Sequence, residues 1–429
     1  MTRELVALVD QMEVGRVTQA RDGRLAFVYA DDWRATRDAF PISLSLPLAA
    51  SRHPDEPVQA FLAGLLPDNE RILEAWGRRF GVSARNPFAL LTAVGEECAG
   101  AVQFVSPDRV AALLKPGRAR LTWLSEADVA DRLRTLRADH AAWRRSGDAG
   151  QFSLAGAQPK TALHLREDRW GLPSGRTPTT HILKPPIGEH DGLAENEHLC
   201  LELAAALGLP TARSSVRHFE DEIAIVVERY DRVRTSGGIA RVHQEDFCQA
   251  LGAPPTRKYE NEGGPGVARI VGLLREHSRS AADDVATFLD ALALNWIIGG
   301  TDGHAKNFSV LIGPTGVRLA PLYDVVSALP YPDLSPPRIK LAMKIGGEYL
   351  LTKIGRRQWE KLAIELRGDG HRLVARVARL AERIPAAVRE VRRSAERAGL
   401  SHPILARLEK DIRSRAAACL SGLAAQASG

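Results

Sequence analysis

Asp302 and Asn307 stand five residues apart in Gly299-Gly300-Thr301-Asp302-Gly303-His304-Ala305-Lys306-Asn307-Phe308, between a helical run over 285–298 and a short apolar hairpin. A further carboxylate, Asp324, follows Tyr323 where that hairpin returns. An Asp, an Asn five residues on and another Asp past a hairpin make up the minimum kit for phosphoryl transfer. One carboxylate takes the proton of the attacking hydroxyl, while an amide oxygen and the second carboxylate suit a hard Mg²⁺ ion that bridges phosphate oxygens. Such a reaction asks little covalent work of the protein, so catalysis is positioning plus neutralisation of charge. Asp and Asn also shape turns and cap helices, and taken singly these residues read that way. Three of them in this order, on helix, loop and hairpin, favour the chemical reading.

The same chemistry needs an amine for the nucleotide phosphates. Lys184 ends the β-prone run His181-Ile182-Leu183 and is stopped by Pro185-Pro186; the alternative is a surface lysine on an edge strand. Glu195, Glu197 and Glu202 follow on a helical pattern, and any of them could orient it. Upstream, the small residues Ala155, Gly156 and Ala157 in Ser153-Leu154-Ala155-Gly156-Ala157-Gln158-Pro159-Lys160 would let backbone approach a phosphate. On its own this stretch reads as a tight turn. Glu228-Arg229-Tyr230-Asp231 closes the run 223–228, the junction at which a two-lobed kinase reads adenine, or else an ordinary strand end. The Gly-rich stretch 258–267 fits a mobile functional loop or plain surface equally.

The elements that must hold these residues are legible in outline. At about 150 residues per domain, 429 residues suggest two or three units. With 45% hydrophobic and 26% charged residues the composition excludes a disordered chain, a fibre and a small disulfide scaffold. Apolar runs at 5–9, 14–19 and 25–29, the last two split by Asp22-Gly23, predict an antiparallel start with a hairpin. Helical spacing follows at 58–66 and 69–80, and Ser125 with Asp128 forms a capping box for a further helix. A polar, glycine-containing stretch at 144–150 marks a boundary. Beyond it, strands are expected at 161–166 and 180–184, with a turn at Glu167-Asp168, a helix at 194–207 and a strand at 223–228. From Gln244 helix dominates, apart from short strands at 308–312 and 317–320. The expected divisions are 1–145, 146–243 and 244–429.

No apolar run approaches the roughly 18 residues of a membrane span, and Glu4, Asp10 and Glu13 interrupt any secretory core near the start. The cysteines Cys98, Cys200, Cys248 and Cys419 lie far apart, without a CxxC pair, so a reduced, cytoplasmic protein is expected. The formal net charge is +6, yet residues 356–415 alone hold 16 Lys and Arg against 8 Asp and Glu. That basic helical tail is either a solvated surface or a face for a polyanion, with DNA the natural candidate.

Taken together, these segments resemble the HipA family of bacterial toxin Ser/Thr kinases. The resemblance is carried by FSLAGAQPKTAL (152–163), PTTHILKPPIG (178–188), ENEHLCLELAAALGL (195–209), VERYDR (227–232), TDGHAKNFSVL (301–311) and LYDVVSA (322–328). SLPL (45–48), GLLPDNER (64–71) and GEECAGAVQF (95–104) resemble that family's N-terminal subdomain. The resemblance thus covers about residues 1–350. It implies an α+β, two-lobed, protein-kinase-like fold: a β-rich N-terminal lobe of two subdomains and a mostly helical C-terminal lobe. Asp302 would be the catalytic base, and Asn307 with Asp324 would hold Mg²⁺. ATP would meet Lys184 and the loop Ala155, Gly156, Ala157, Gln158, Pro159 and Lys160 through its phosphates. Glu228, Arg229 and Tyr230 would line adenine, with His304, Ala305, Lys306, Asn307 and Tyr323 bordering the nucleotide.

Ser153 matches a serine that such kinases autophosphorylate; added charge beside the phosphate site would then expel the loop. Pro159 stands where an acidic residue is common in the family, and a proline there fixes φ and removes an N–H. The family also implies a helix-turn-helix antitoxin, operator DNA reached through that complex, and a protein target in translation such as an aminoacyl-tRNA synthetase. Two rival expectations are a small-molecule kinase and a catalytically idle, DNA-binding co-repressor. The first would want an acidic pocket, and no acidic cluster follows Asp302; the second would have no need of intact Asp302, Asn307, Asp324 and Lys184.

Overall fold

The computed structural model describes residues 3–115, 120–142, 153–186, 188, 190–331 and 338–424. The boundary expected at 144–150, and Phe152 and Ile187 of the motifs quoted above, lie outside the described residues. The fold is α+β and divides into two compact units that interleave along the chain. One takes Met1–Pro185, Arg217–Thr256 and Ser309–Val317; the other takes Pro186–Val216, Arg257–Phe308 and Arg318–Gly429.

In the first unit an antiparallel sheet runs Arg52–His53, Leu25–Tyr29, Met12–Gln19, Arg3–Val9, Val102–Val105. The expected hairpin is present, and Gly23 takes a positive φ in its turn. Asn69 and Asn86 cap the helices Glu70–Phe80 and Pro87–Val94 by accepting backbone N–H bonds at their starts. A second sheet places Glu222–Glu228, His181–Lys184, Thr161–Arg166, Arg169–Ser174 and Arg120–Trp123 in that order. Helix Glu126–Ala138, with the reciprocal Ser125–Asp128 capping box, packs Val129 and Leu133 on Leu163, Leu183 and Val226 of this sheet. Glu167 and Asp168 both adopt positive φ, as the two-residue turn requires.

The second unit is mainly helical: Leu193–Ala206, Val267–His277, Ala281–Ile298, Arg356–Glu365, Gly370–Arg397 and Pro403–Ala424. Along Gly370–Arg397, buried Leu373, Val377, Leu380, Ile384 and Val388 recur every three or four residues, the stripe that seats a helix on a core. Trp296 and Trp359 meet edge to face at 5.6 Å, both fully buried. Among the described residues, no helix is long and apolar enough to cross a membrane.

The sequence reading missed several strands. His243–Asp246 pairs with Ser309–Gly313, so the chain past Gln244 does not begin as helix. Lys340–Ile345 pairs with Glu348–Leu350, and Arg232–Thr235 pairs with Gly238–Arg241 around the segment read as a loop at 235–238. These are short strands whose polar or mixed patterns carry little period-two signal, and pairing supplies what periodicity does not.

Candidate active site

Helix Ala281–Ile298 ends at Gly299, which takes φ +67°. The chain then turns so closely over the helix that Gly300 and Gly303 face the Asn295 side chain. A Cβ on Gly300 would lie 2.5 Å from Asn295 Oδ1, and one on Gly303 2.6 Å from its Nδ2. The glycines of GGTDGH are therefore needed for close approach, and Asn295 is the post around which the loop is wound. The sequence reading did not single out Asn295; a polar residue one turn before the end of an apolar helix was the available signal.

This winding brings Asp302 and Asn307 together. The His304 N–H donates to the Asp302 carbonyl at 2.7 Å, and Ala305–Asn307 forms a single 3-10 turn. Asn307 Nδ2 donates to that same carbonyl at 2.7 Å, which directs Oδ1 to the opposite side of the amide. The Asp302 side chain is 63% exposed. Its Oδ1 accepts a hydrogen bond from the Tyr259 hydroxyl at 2.7 Å and lies 3.8 Å from His304 Nε2. His304 itself is buried, its ring edge-on to Tyr259 at 5.0 Å. Lys306 is buried, and its carbonyl accepts from the Tyr323 hydroxyl at 2.7 Å.

Asp324 takes φ +54°, a left-handed conformation that a non-glycine residue rarely holds without reason. It lines one small cavity together with Asn307, Tyr323, Asn295 and Gly303. Among the described residues no group of three or more His, Cys, Asp or Glu could cage a metal. An amide and a carboxylate on one cavity instead fit Mg²⁺, which keeps waters and is usually held by one or two side chains plus substrate phosphates.

The nucleotide residues expected from the first unit fall into two groups. Lys184 sits at the end of its strand in register with Ile225, and is only 5% exposed. Lys160 is buried and donates through Nζ to the Ala155 carbonyl at 2.7 Å, clasping the loop at its two ends. Gly156, with φ +107°, leaves the space that this ammonium fills. Gln158 donates to the Pro185 carbonyl at 3.4 Å, and Pro159 is buried, while Ala157 is exposed at the tip. The loop is also docked on the connection between helices Asp55–Gly64 and Glu70–Phe80. Gly156 bridges Pro67, and the Asp68 N–H donates to the Gly156 carbonyl at 3.1 Å. Ser153 is fully buried, its hydroxyl donating to Leu65 O at 2.8 Å and its N–H to Glu97 O at 2.8 Å.

Arg229 belongs to the second group. Its guanidinium lies in a buried cluster, donating to Glu97 at 3.2 Å, Thr179 at 2.8 Å, the Cys98 carbonyl at 2.9 Å and Asp231 at 2.8 Å. Arg232 and Arg241 complete the cluster on Glu97 at 3.0 and 2.5 Å. Burial works to raise the Glu97 carboxyl, but Arg241, Arg232 and Arg229 together hold it well below the usual carboxylate range. Arg229 is thus a tie between the strand end and the GEEC segment. The Tyr230 hydroxyl donates to Gln244, and Glu228 ends the strand opposite His181.

Comparison with known proteins gives a consistent result. The HipA-like C-terminal domain matches residues 152–396, and the HipA N-terminal domain matches residues 5–105. A Sinorhizobium fredii protein named "Putative kinase Y4mE" is 42% identical over 368 residues, covering 85% of each chain. The serine/threonine-protein kinase toxin HipA of Shewanella oneidensis is 32% identical, over 85% of this chain and 83% of its own. Among solved structures, the Shewanella oneidensis MR-1 complex of HipA, HipB and operator DNA matches with a TM-score of 0.83 at 27% identity, over 97% of both chains.

Proposed function

Starting from the fact that this chain belongs to the HipA family, we propose that it is an ATP- and Mg²⁺-dependent serine/threonine protein kinase acting as the toxin of a toxin–antitoxin pair. The observation that carries the reading is the triad of the second unit. Asp302 has an exposed carboxylate and a backbone carbonyl tied to Asn307, and Asn307 shares a cavity with an Asp324 held at a left-handed φ. Asn307 and Asp324 would hold Mg²⁺, which when bound supplies neutralisation of phosphate charge. Asp302 then receives the proton of the acceptor hydroxyl at its carboxylate. Lys184 is the amine for the nucleotide phosphates, and the backbone of 155–160 lies over them, its span fixed by the Lys160–Ala155 bond. Glu228 and Tyr230 border adenine, whereas Arg229 serves that border only by holding the strand end in place.

Ser153 is the autophosphorylation site in this reading. Its hydroxyl is buried on Leu65, so the loop must leave its berth before Ser153 can accept a phosphate. A phosphoserine, carrying nearly two charges, could not return there. The partner is a helix-turn-helix antitoxin, by analogy with the HipA–HipB–operator complex, and the target is a protein of translation such as an aminoacyl-tRNA synthetase. The basic helices 370–424 are the proposed DNA-facing surface.

Purified protein incubated with γ-labelled ATP and Mg²⁺ transfers label to protein, to itself or to an added target, and Asp302→Gln slows the transfer at least about a hundredfold. Transfer at the wild-type rate after this substitution removes Asp302 from the role of base.

A further inference from the structure

We infer that Tyr259 is a positioning residue for phosphoryl transfer, turning the Asp302 carboxylate so that Oδ2 rather than Oδ1 meets the acceptor hydroxyl. The inference rests on the kinase reading above. A general base works from within about 2.6–3.2 Å of the proton it takes. A carboxylate 63% exposed on a loop would otherwise sample several rotamers.

Two contacts fix which oxygen stays available. Tyr259 Oη donates to Asp302 Oδ1 at 2.7 Å, and His304 Nε2 lies 3.8 Å from that same oxygen. Neither contact involves Oδ2. The phenol ring is itself packed edge-on to the buried His304 at 5.0 Å and 79°. The loop that carries it is tied down by backbone and side-chain bonds on both sides of Tyr259. The Tyr259 carbonyl accepts from Glu262 and Gly264 N–H at 3.1 and 3.0 Å. Next to it, Glu260 accepts from the Lys344 N–H at 2.7 Å and faces Lys344 Nζ at 3.3 Å, pinning the loop to strand Lys340–Ile345.

The phenol also stands where an acceptor hydroxyl would stand relative to Oδ1. A plug that must leave before substrate binds is therefore the opposite reading, and the sign of one measurement separates the two. Steady-state label transfer is compared for wild type, Tyr259→Phe, Asp302→Asn and the double variant, alongside their melting temperatures. Tyr259→Phe, which removes a single oxygen, lowers kcat about tenfold while the KM for ATP stays within about twofold and the melting temperature is unchanged. Added to Asp302→Asn, it lowers the residual rate no further, because the carboxylate it served is gone. An unchanged kcat overturns the inference, a raised kcat makes Tyr259 a plug, and an equal loss in both backgrounds makes its role structural. A wild type that transfers no phosphate, or an Asp302→Asn variant as fast as wild type, overturns the kinase reading and this inference with it.

Discussion

A general base on a loop has to be reachable and aimed, and around Asp302, proposed here as that base, both follow from how little room its neighbours have. Asn295 fills the space that side chains at 300 and 303 would need, the Asn307 amide ties back to the Asp302 carbonyl, and the Tyr259 phenol holds one carboxylate oxygen. Asp302, Asn307 and Asp324 were proposed from spacing, and the structure brings Asp302 and Asn307 into one turn and Asn307 and Asp324 onto one cavity. Tyr259 and Asn295 were not, because each acts through a contact between segments that sequence order does not connect. A different residue-level consequence lies in the first unit. Glu245 is fully buried and accepts the Leu44 N–H at 2.8 Å. Burial, with Asp246 beside it, pushes its carboxyl up to about 8. Its unfolded value is about 4.3. Stability from this group is therefore complete below that value and is lost as the pH rises toward 8. The melting temperature of wild type falls between pH 6 and 8 relative to Glu245→Gln, whose side chain keeps the bond from Leu44 without ionising. Parallel pH curves for the two proteins would contradict this.

At the scale of elements, the loop 155–160 and the strand end at Glu228, proposed to meet phosphate and adenine, are both anchored on connecting segments of the N-terminal part of the first unit. Ser153, Gly156 and Asp68 join the loop to 65–68, while Glu97 gathers Arg229, Arg232 and Arg241. A buried carboxylate serving three guanidinium groups is costly to remove, because the cations would stay behind without it. Glu97→Gln is expected to cost about 3–5 kcal/mol of stability, read as a lower denaturant midpoint with unchanged slope. A cost within about 0.5 kcal/mol, the size of an ordinary surface substitution, would mean that the cluster relaxes without it. VERYDR was legible as the end of a strand, but the inward turn of Arg229 was not, because Glu97 lies 132 positions away. The first strand and turn of the hairpin at 161–174 were legible, as turn and alternation are local, while the extent of its returning strand was not. His243–Asp246 was not, because its partner strand comes from Ser309–Gly313.

At the scale of the molecule, the basic excess of 356–415 is partly taken up by pairing within the helical unit. Arg376 pairs with Asp290 at 2.5 Å, Arg389, Arg392 and Arg413 all converge on Glu409, and Arg415 donates to the Leu351 carbonyl. Composition revealed the excess but not this partition, which depends on helix packing. Above all, the residues proposed for one nucleotide come from both compact units: Lys184 and the phosphate loop from the first, Asp302, Asn307 and Asp324 from the second. If they serve a single triphosphate, ATP affinity must depend on each unit. Calorimetric titration of ATP with Mg²⁺ into wild type, Lys184→Ala and Asp324→Ala tests this directly. The account predicts one ATP per wild-type chain and an affinity at least about tenfold weaker in each variant, a loss of about 1.4 kcal/mol or more; wild-type affinity in either variant would contradict it.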